Sequence, residues 1–97
     1  MIRAKWNGEI IAEGTDTVIV DRKHYFKVED IKDEYFETND KHTICEWKGE
    51  ASYYTLSVNG KKNADAAWYY ANPKEKAMNI KGRVVFSYVH GVEVVEE

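Results

Sequence analysis

Two Asn-Gly pairs, each placed between extended runs of residues, constrain the fold of this chain more than any other feature of its sequence. Asn7–Gly8 separates Ile2–Trp6 from Glu9–Glu13, and Asn59–Gly60 divides a longer stretch over residues 50–70. A type I′ turn needs positive φ at both central residues, which Asn and Gly tolerate best. We therefore predict two β-hairpins, of which the second is long and carries most of the aromatic residues.

The residues between the two hairpins predict a further strand pair and a short helix. Thr17–Val20 is β-branched throughout, and with His24–Lys27 it predicts two strands joined by a charged turn. Val28–Phe36 has apolar residues at helical spacing and acidic residues near its start, which predicts one short helix. The polar stretch Thr38–Lys41 then predicts a turn that leads into a strand over Thr43–Lys48.

The C-terminal third predicts one helical turn and one more hairpin. Pro73 favours a helical turn over Lys74–Asn79, because proline fits the first position of a helix. Arg83–Val89 and Val92–Val95 flank His90–Gly91, a weaker turn signal than Asn-Gly. The whole pattern predicts a mainly β fold, a barrel or sandwich of about eight short antiparallel strands with one or two short helices.

Length and composition indicate one folded domain over residues 1–97. A chain of 97 residues is close to the common size of a single domain and has no linker rich in Pro, Gly or Ser. Its 43% apolar content includes three Trp, seven Tyr and three Phe, which is enough to form a core.

Charge and cysteine content narrow the expected partners and location. The net charge of -3 does not favour nucleic acid or anionic membranes as partners. The one cysteine cannot form an intramolecular disulfide, and no apolar run is long enough for a membrane span or a signal peptide, so we expect a cytoplasmic protein. The three histidines, His24, His42 and His90, lack the close spacing of a zinc site, and we expect neither a metal nor a cofactor.

The segment around Cys45 is the best candidate for a working surface. Alternate residues of a strand share a face, so we expect Cys45 and Trp47 to point one way and Glu46 and Lys48 the other. In the following hairpin both strand faces carry aromatic rings, whereas a half-buried sheet has one polar face. We therefore predict that one set of rings lines a cleft for a small-molecule ligand, with these binding residues: Trp47, Lys48, Tyr53, Tyr54, Asp65, Trp68 and Tyr69.

Two other functions remain open from the residues alone. In an enzyme, Cys45 would act as nucleophile with His24 as a base brought close by the fold, or Lys48 and a tyrosine hydroxyl would transfer protons, with Asp65 as a further candidate. A packing role for Cys45 is the simpler reading, because free cysteine is among the most buried residue types. Alternatively, the rings would form the interface of a homodimer.

The chain resembles a family of small proteins known as domain of unknown function 427. The resemblance spans nearly the whole chain and is carried by two strings: Cys45-x-Trp47-Lys48-Gly49-x-Ala51-x-Tyr53-Tyr54 and Asp65-x-Ala67-Trp68-Tyr69-Tyr70. It implies a compact, mainly β domain and no particular activity.

Two positions depart from the pattern of the family that the chain resembles. Family members usually carry proline after the cysteine and after the His-Tyr-Phe string, where this chain has Glu46 and Lys27. The family is sometimes labelled a nucleotidyltransferase domain. The chain shows neither the clustered carboxylates for divalent metal nor the phosphate loop that such chemistry needs.

Overall fold

The computed structural model describes residues 1–97 as nine antiparallel strands joined by turns and short 3₁₀ segments. The strands are β1 (Ile2–Trp6), β2 (Glu9–Gly14), β3 (Val18–Val20), β4 (Lys23–Tyr25), β5 (Phe36–Cys45), β6 (Gly49–Val58), β7 (Lys61–Tyr69), β8 (Val84–Phe86) and β9 (Glu93–Glu96). The 3₁₀ segments are Val28–Asp30, Asp33–Tyr35, Glu75–Ile80 and Tyr88–His90. The predicted mainly β, antiparallel fold is confirmed. None of the helical segments is long and apolar enough to cross a lipid bilayer.

The strands form three sheets with the orders β2-β1-β9, β3-β4 and β5-β6-β7-β8. Backbone hydrogen bonds of 2.8 Å run in both directions between Phe26 and Val84, and they attach the β3-β4 hairpin to strand β8. The three sheets do not close into a barrel.

Both Asn-Gly pairs form the predicted tight turns, with φ values of 51° and 85° at Asn7 and Gly8 and of 50° and 80° at Asn59 and Gly60. The two turns also contact each other. The side-chain amide of Asn7 donates to the carbonyl oxygen of Val58 at 2.9 Å, and that of Asn59 donates to the carbonyl oxygen of Asn7 at 3.3 Å. The tips of two hairpins that are distant in sequence are therefore joined.

The helix predicted over Val28–Phe36 is wrong. Ile31 separates two 3₁₀ segments and forms an isolated antiparallel bridge with Ala12, while the neighbouring Lys32 N–H donates to Ile11 O at 2.8 Å. Ile31 is buried against β2, and this packing extends the backbone where local spacing favoured a helix. Only 3₁₀ segments occur in place of the predicted short helices.

Two further predictions from turn signals are corrected. Thr38–Lys41 lies inside β5, where the register against β6 shifts between Thr38 and His42, so the polar stretch is a bulge. The hairpin predicted across His90–Gly91 does not form, because β8 pairs with β7 and β9 pairs with β1. The 3₁₀ segment Tyr88–His90 instead carries the chain from one sheet to another.

Apolar side chains pack against both faces of the four-stranded sheet. The first cluster includes Phe26, Leu56 and Phe86 together with residues of β1 and β2. The second, smaller cluster contains six buried residues: Tyr25, Ala51, Tyr70, Ala77, Ile80 and Val85. The sheet thus separates two layers of core, and the second layer leads to the candidate site.

Candidate functional site

The aromatic residues of β6 and β7 divide between the two faces of the sheet. Tyr54 and Tyr69 pack against the first cluster, with ring centroids 5.2 Å apart. Tyr53 and Trp68 are cross-strand partners that pack against the second cluster, with ring centroids 5.9 Å apart. The structure therefore brings Tyr53 and Trp68 together and separates them from Tyr54 and Tyr69.

The turn between β5 and β6 changes the predicted directions of its side chains. Strand β5 ends at Cys45, and alternation stops there because Glu46–Lys48 is a turn. Trp47 is 42% exposed, whereas Lys48 is only 8% exposed. The predicted division, with Lys48 pointing away from the face of Trp47, is wrong, since the Lys48 ammonium lies 5.0 Å from the Trp47 ring centroid.

Lys48 extends into a cage of three aromatic rings and one carboxylate. Its Nζ lies 2.6 Å from Asp21 Oδ2 and 5.9 Å from the ring centroids of both Tyr25 and Tyr70. Tyr25 and Tyr70 are themselves buried in the second cluster. An ammonium within about 6 Å of an aromatic face is attracted by the ring quadrupole, so the rings replace part of the hydration that burial removes.

Burial and the ion pair shift the pKa values of the groups that form the cage. Burial alone lowers the pKa of Lys48, but the hydrogen bond to Asp21 and the nearby Tyr25 and Tyr70 outweigh burial and raise this pKa above its usual value. The same hydrogen bond holds the pKa of the Asp21 carboxyl below its usual value. Burial raises the pKa of both tyrosines. Since the pKa of Lys48 is raised, the side chain is a positive charge at neutral pH, held by the ion pair with Asp21.

Asp21 is positioned by the turn between β3 and β4. Asp21 and Arg22 both have positive φ, at 53° and 67°, so this two-residue turn has left-handed backbone without a glycine. Such conformations are unfavourable for most residues, although Asp tolerates them better than others. The ion pair with Lys48 connects the tip of this hairpin to the candidate site.

Of the residues proposed for catalysis, Cys45 and Lys48 lie near each other in sequence and His24 and Asp65 are engaged elsewhere. Cys45 is half-buried against the second cluster. The Nδ1 atom of His24 lies 2.7 Å from Thr17 Oγ1, and Asp65 Oδ1 accepts a hydrogen bond from Asn39 Nδ2 at 3.0 Å. None of these four side chains is hydrogen-bonded to another of the four in the structure.

Asp65 is connected to the aromatic pair through a lysine. Lys41 Nζ lies 3.5 Å from Asp65 Oδ2 and 5.3 Å from the ring centroid of Tyr53. The hydroxyl of Tyr53 in turn shares a 2.9 Å hydrogen bond with Thr43 Oγ1. These contacts lie on the outer part of the face that carries Tyr53 and Trp68.

A surface hollow of about 380 Å³ opens beside Trp47. Its other lining residues are Glu46, Lys74, Glu75 and Lys76. Two hydrogen bonds fix its wall, one from the backbone N–H of Lys74 to Lys48 O at 2.8 Å and one from Lys74 Nζ to Glu46 O at 2.6 Å. Trp68 and Tyr53, which were predicted to share one cleft with Trp47, do not line this hollow and pack against the second cluster.

Sequence reasoning missed Asp21, Tyr25 and Tyr70, which complete the cage around Lys48. Tyr70 ends the second string that carries the family resemblance, and Tyr25 lies in the His-Tyr-Phe string, but no spacing rule connects either of them to Lys48. Asp21 follows a β-branched run, and a turn aspartate is most often solvated, so its sequence position gives no sign of the ion pair.

Comparison with known proteins supports the resemblance. The family model described as a domain of unknown function (DUF427) matches residues 1–97. No curated protein matches the chain significantly.

In the structure, no group of three or more His, Cys, Asp or Glu side chains comes together as a set of metal ligands.

Proposed function

The chain belongs to the DUF427 family, whose function is unknown, and on that premise we propose that it is a small-molecule binding module that holds its ligand beside Trp47. One observation carries the proposal: a single turn presents an exposed indole whose neighbouring ammonium is buried and fixed. Large exposed aromatic side chains next to a concave surface are typical of binding sites.

The indole of Trp47 provides the stacking surface in this proposal. Its backbone turn is held by the hydrogen bond between Lys74 N–H and Lys48 O, and Lys48 lies near its ring. The ring is thus positioned before a ligand arrives, which lowers the entropy that binding costs. A ligand with a planar ring would stack on Trp47 while its polar groups contact Lys76 and Glu75 at the rim.

The other predicted residues have supporting roles. The buried ammonium of Lys48 helps to orient the Trp47 ring, and Tyr53 and Trp68 pack against the second cluster outside the hollow. Asp65 orients Lys41 over Tyr53 and does not contact the ligand. Cys45 contributes packing to the same layer.

A thermal-shift screen of nucleotides, sugars and amines tests the proposal. We expect at least one class of compound to raise Tm, and we expect Trp47→Ala to weaken its binding about ten-fold, the usual loss when a stacking ring is removed. Trp68→Phe is the matched control, because it keeps an aromatic ring in the second cluster and leaves the hollow unchanged.

Three outcomes would contradict the proposal. No compound shifts Tm, or a shift persists unchanged in Trp47→Ala, or light scattering at micromolar concentration shows a dimer that Trp47→Ala converts to a monomer. The last result would identify Trp47 as part of a homodimer interface.

A further inference from the structure

Three tight turns of the chain have positive φ at two consecutive residues, and one of them begins with an aspartate where the other two begin with asparagine. The φ of Asp21 is 53°, against 51° at Asn7 and 50° at Asn59. Asparagine suits this conformation at least as well as aspartate does. The backbone of the turn between β3 and β4 therefore does not require a carboxylate at position 21.

The carboxylate of Asp21 instead contacts a residue outside its own hairpin. Its Oδ2 atom lies 2.6 Å from Nζ of Lys48, which is 27 residues away in the sequence. No other carboxylate lies within 4.0 Å of that ammonium. Asp21 is thus the one acidic group that holds the Lys48 side chain in place.

Lys48 is held at both its backbone and its side chain, and it contacts the indole of Trp47. Its carbonyl oxygen accepts the 2.8 Å hydrogen bond from the Lys74 N–H, and its ammonium lies among the three rings of the cage. The Trp47 ring is the nearest, with its centroid 5.0 Å from Nζ, against 5.9 Å for the two tyrosine rings. An ammonium over an aromatic face attracts the ring and so favours one orientation of it.

From these contacts we propose that Asp21 is a positioning residue for the Trp47 site. Its carboxylate holds the ammonium of Lys48 over the indole, and the ammonium orients that ring. The inference rests on the proposed function for its bearing on a ligand, although its test needs no ligand. The β3-β4 hairpin then contributes to the site even though none of its residues lines the hollow. Removing the carboxylate frees the indole to turn, which raises the entropy that ligand binding costs.

The indole N–H resonance of Trp47 provides the test, measured by NMR in the ¹⁵N-labelled protein and assigned with Trp47→Phe. We expect Asp21→Asn and Lys48→Met each to shift this resonance, because the first releases the ammonium over the ring and the second removes it. Because Asp21 acts through Lys48, the double variant Asp21→Asn/Lys48→Met should have the same Trp47 resonance as Lys48→Met alone. A contribution of Asp21 that came only from its turn would instead add a second shift.

Arg22→Gly is the matched control, since it changes the same turn at a residue that forms no ion pair and keeps the carboxylate of Asp21. Arg22 has φ of 67°, which glycine adopts readily, so the turn is preserved. An unchanged Trp47 resonance in Arg22→Gly, together with the non-additive shifts, supports the proposal.

The proposal is overturned if Asp21→Asn folds and leaves the Trp47 resonance unchanged, if the double variant differs from Lys48→Met, or if Arg22→Gly shifts the resonance as much as Asp21→Asn does. The comparison of the double variant with Lys48→Met involves no unpaired buried ammonium, so it decides the question even where Asp21→Asn alone does not fold. A compound that raises Tm through Trp47 in a protein that fails this test would refute the positioning role and leave the proposed function standing. The converse result would refute only the proposed function.

Discussion

The ammonium of Lys48 lies 2.6 Å from the carboxylate of Asp21, yet the two partners differ sharply in exposure. The Lys48 side chain is 10% exposed and that of Asp21 is 56% exposed. Water can therefore solvate Asp21 when its partner is absent, but it reaches Lys48 poorly. The pair is asymmetric, and removing one partner is not equivalent to removing the other.

This asymmetry predicts that Asp21→Asn destabilises the protein more than Lys48→Met does. Asp21→Asn leaves a buried ammonium with only the aromatic rings around it, and we expect it to lower the free energy of unfolding by about 1–2 kcal/mol. Asn also tolerates positive φ, so the turn itself is preserved. Lys48→Met replaces the charge with an apolar chain of similar length, and we expect a change within about 1 kcal/mol.

Urea denaturation of both variants measures this difference. Lys62→Met, which removes the exposed ion pair with Glu37, is the control and should have no measurable effect. Equal losses of stability in Asp21→Asn and Lys48→Met would show that the ammonium is not buried as the structure has it.

The ion pair also predicts a specific dependence of stability on acid. Since Lys48 holds the pKa of Asp21 below its usual value, the pair stabilises the folded state above the unfolded pKa of about 3.9, and this contribution is lost as pH falls through the folded pKa. The difference in the free energy of unfolding between the natural sequence and Asp21→Asn should be largest at pH 7. It should begin to shrink below about pH 4 and vanish at lower pH. Urea midpoints between pH 7 and pH 2 measure it; a constant difference would contradict the assignment.

Asp65 has φ of 62° at the irregularity of β7, and this conformation predicts that glycine is a less destabilising replacement than alanine. Both Asp65→Ala and Asp65→Gly lose the hydrogen bond from Asn39. Because glycine relieves the left-handed backbone and alanine does not, we expect the Ala variant to be less stable than the Gly variant by about 1 kcal/mol.

Ala64 provides the matched control next to it in the same strand. Its φ is negative, so Ala64→Gly should be destabilising, the reverse of the order at Asp65. Thermal unfolding of the three variants is sufficient. If alanine gave the more stable protein than glycine at both positions, Asp65 would not hold a left-handed conformation in solution.

The contact between the two Asn-Gly turns predicts that the first asparagine matters more than the second. Asn7 donates at 2.9 Å to the carbonyl of buried Val58, whereas the bonds of Asn59 are 3.3 and 3.4 Å long and exposed. Glycine keeps the turn conformation in both cases. We expect Asn7→Gly to cost about 1 kcal/mol and Asn59→Gly to cost less, as measured by urea denaturation; the opposite order would contradict the contact.

The parts of the fold that depend on local turn chemistry could be predicted from the sequence. The pairs Asn7–Gly8 and Asn59–Gly60 gave correct hairpins because their preference for positive φ is independent of the rest of the chain. The predictions over Val28–Phe36 and Thr38–Lys41 failed because distant partners decide both conformations: Ile31 is drawn onto β2, and the bulge in β5 is bound to Asp65 of β7.

The sequence predicts which segment holds the candidate site but not how the side chains of that site are arranged. Trp47 and Lys48 were identified, but strand alternation was applied across a turn in which it does not hold. The cage around Lys48 is assembled from three separate segments: Trp47 comes from the turn before β6, Asp21 and Tyr25 come from the β3-β4 hairpin, and Tyr70 directly follows β7. No spacing along the sequence indicates that these residues are neighbours, so only the folded structure shows that they are.

The three tryptophans lie in three different environments, so tryptophan fluorescence can report on each of them separately. Trp6 packs against the first cluster, Trp68 packs against the second, and Trp47 lines the hollow. The emission of variants that retain a single indole would therefore follow each layer separately. Coincident transitions would mean that the two layers melt as one cooperative unit, and separated transitions would mean that the layer carrying Lys48 opens on its own.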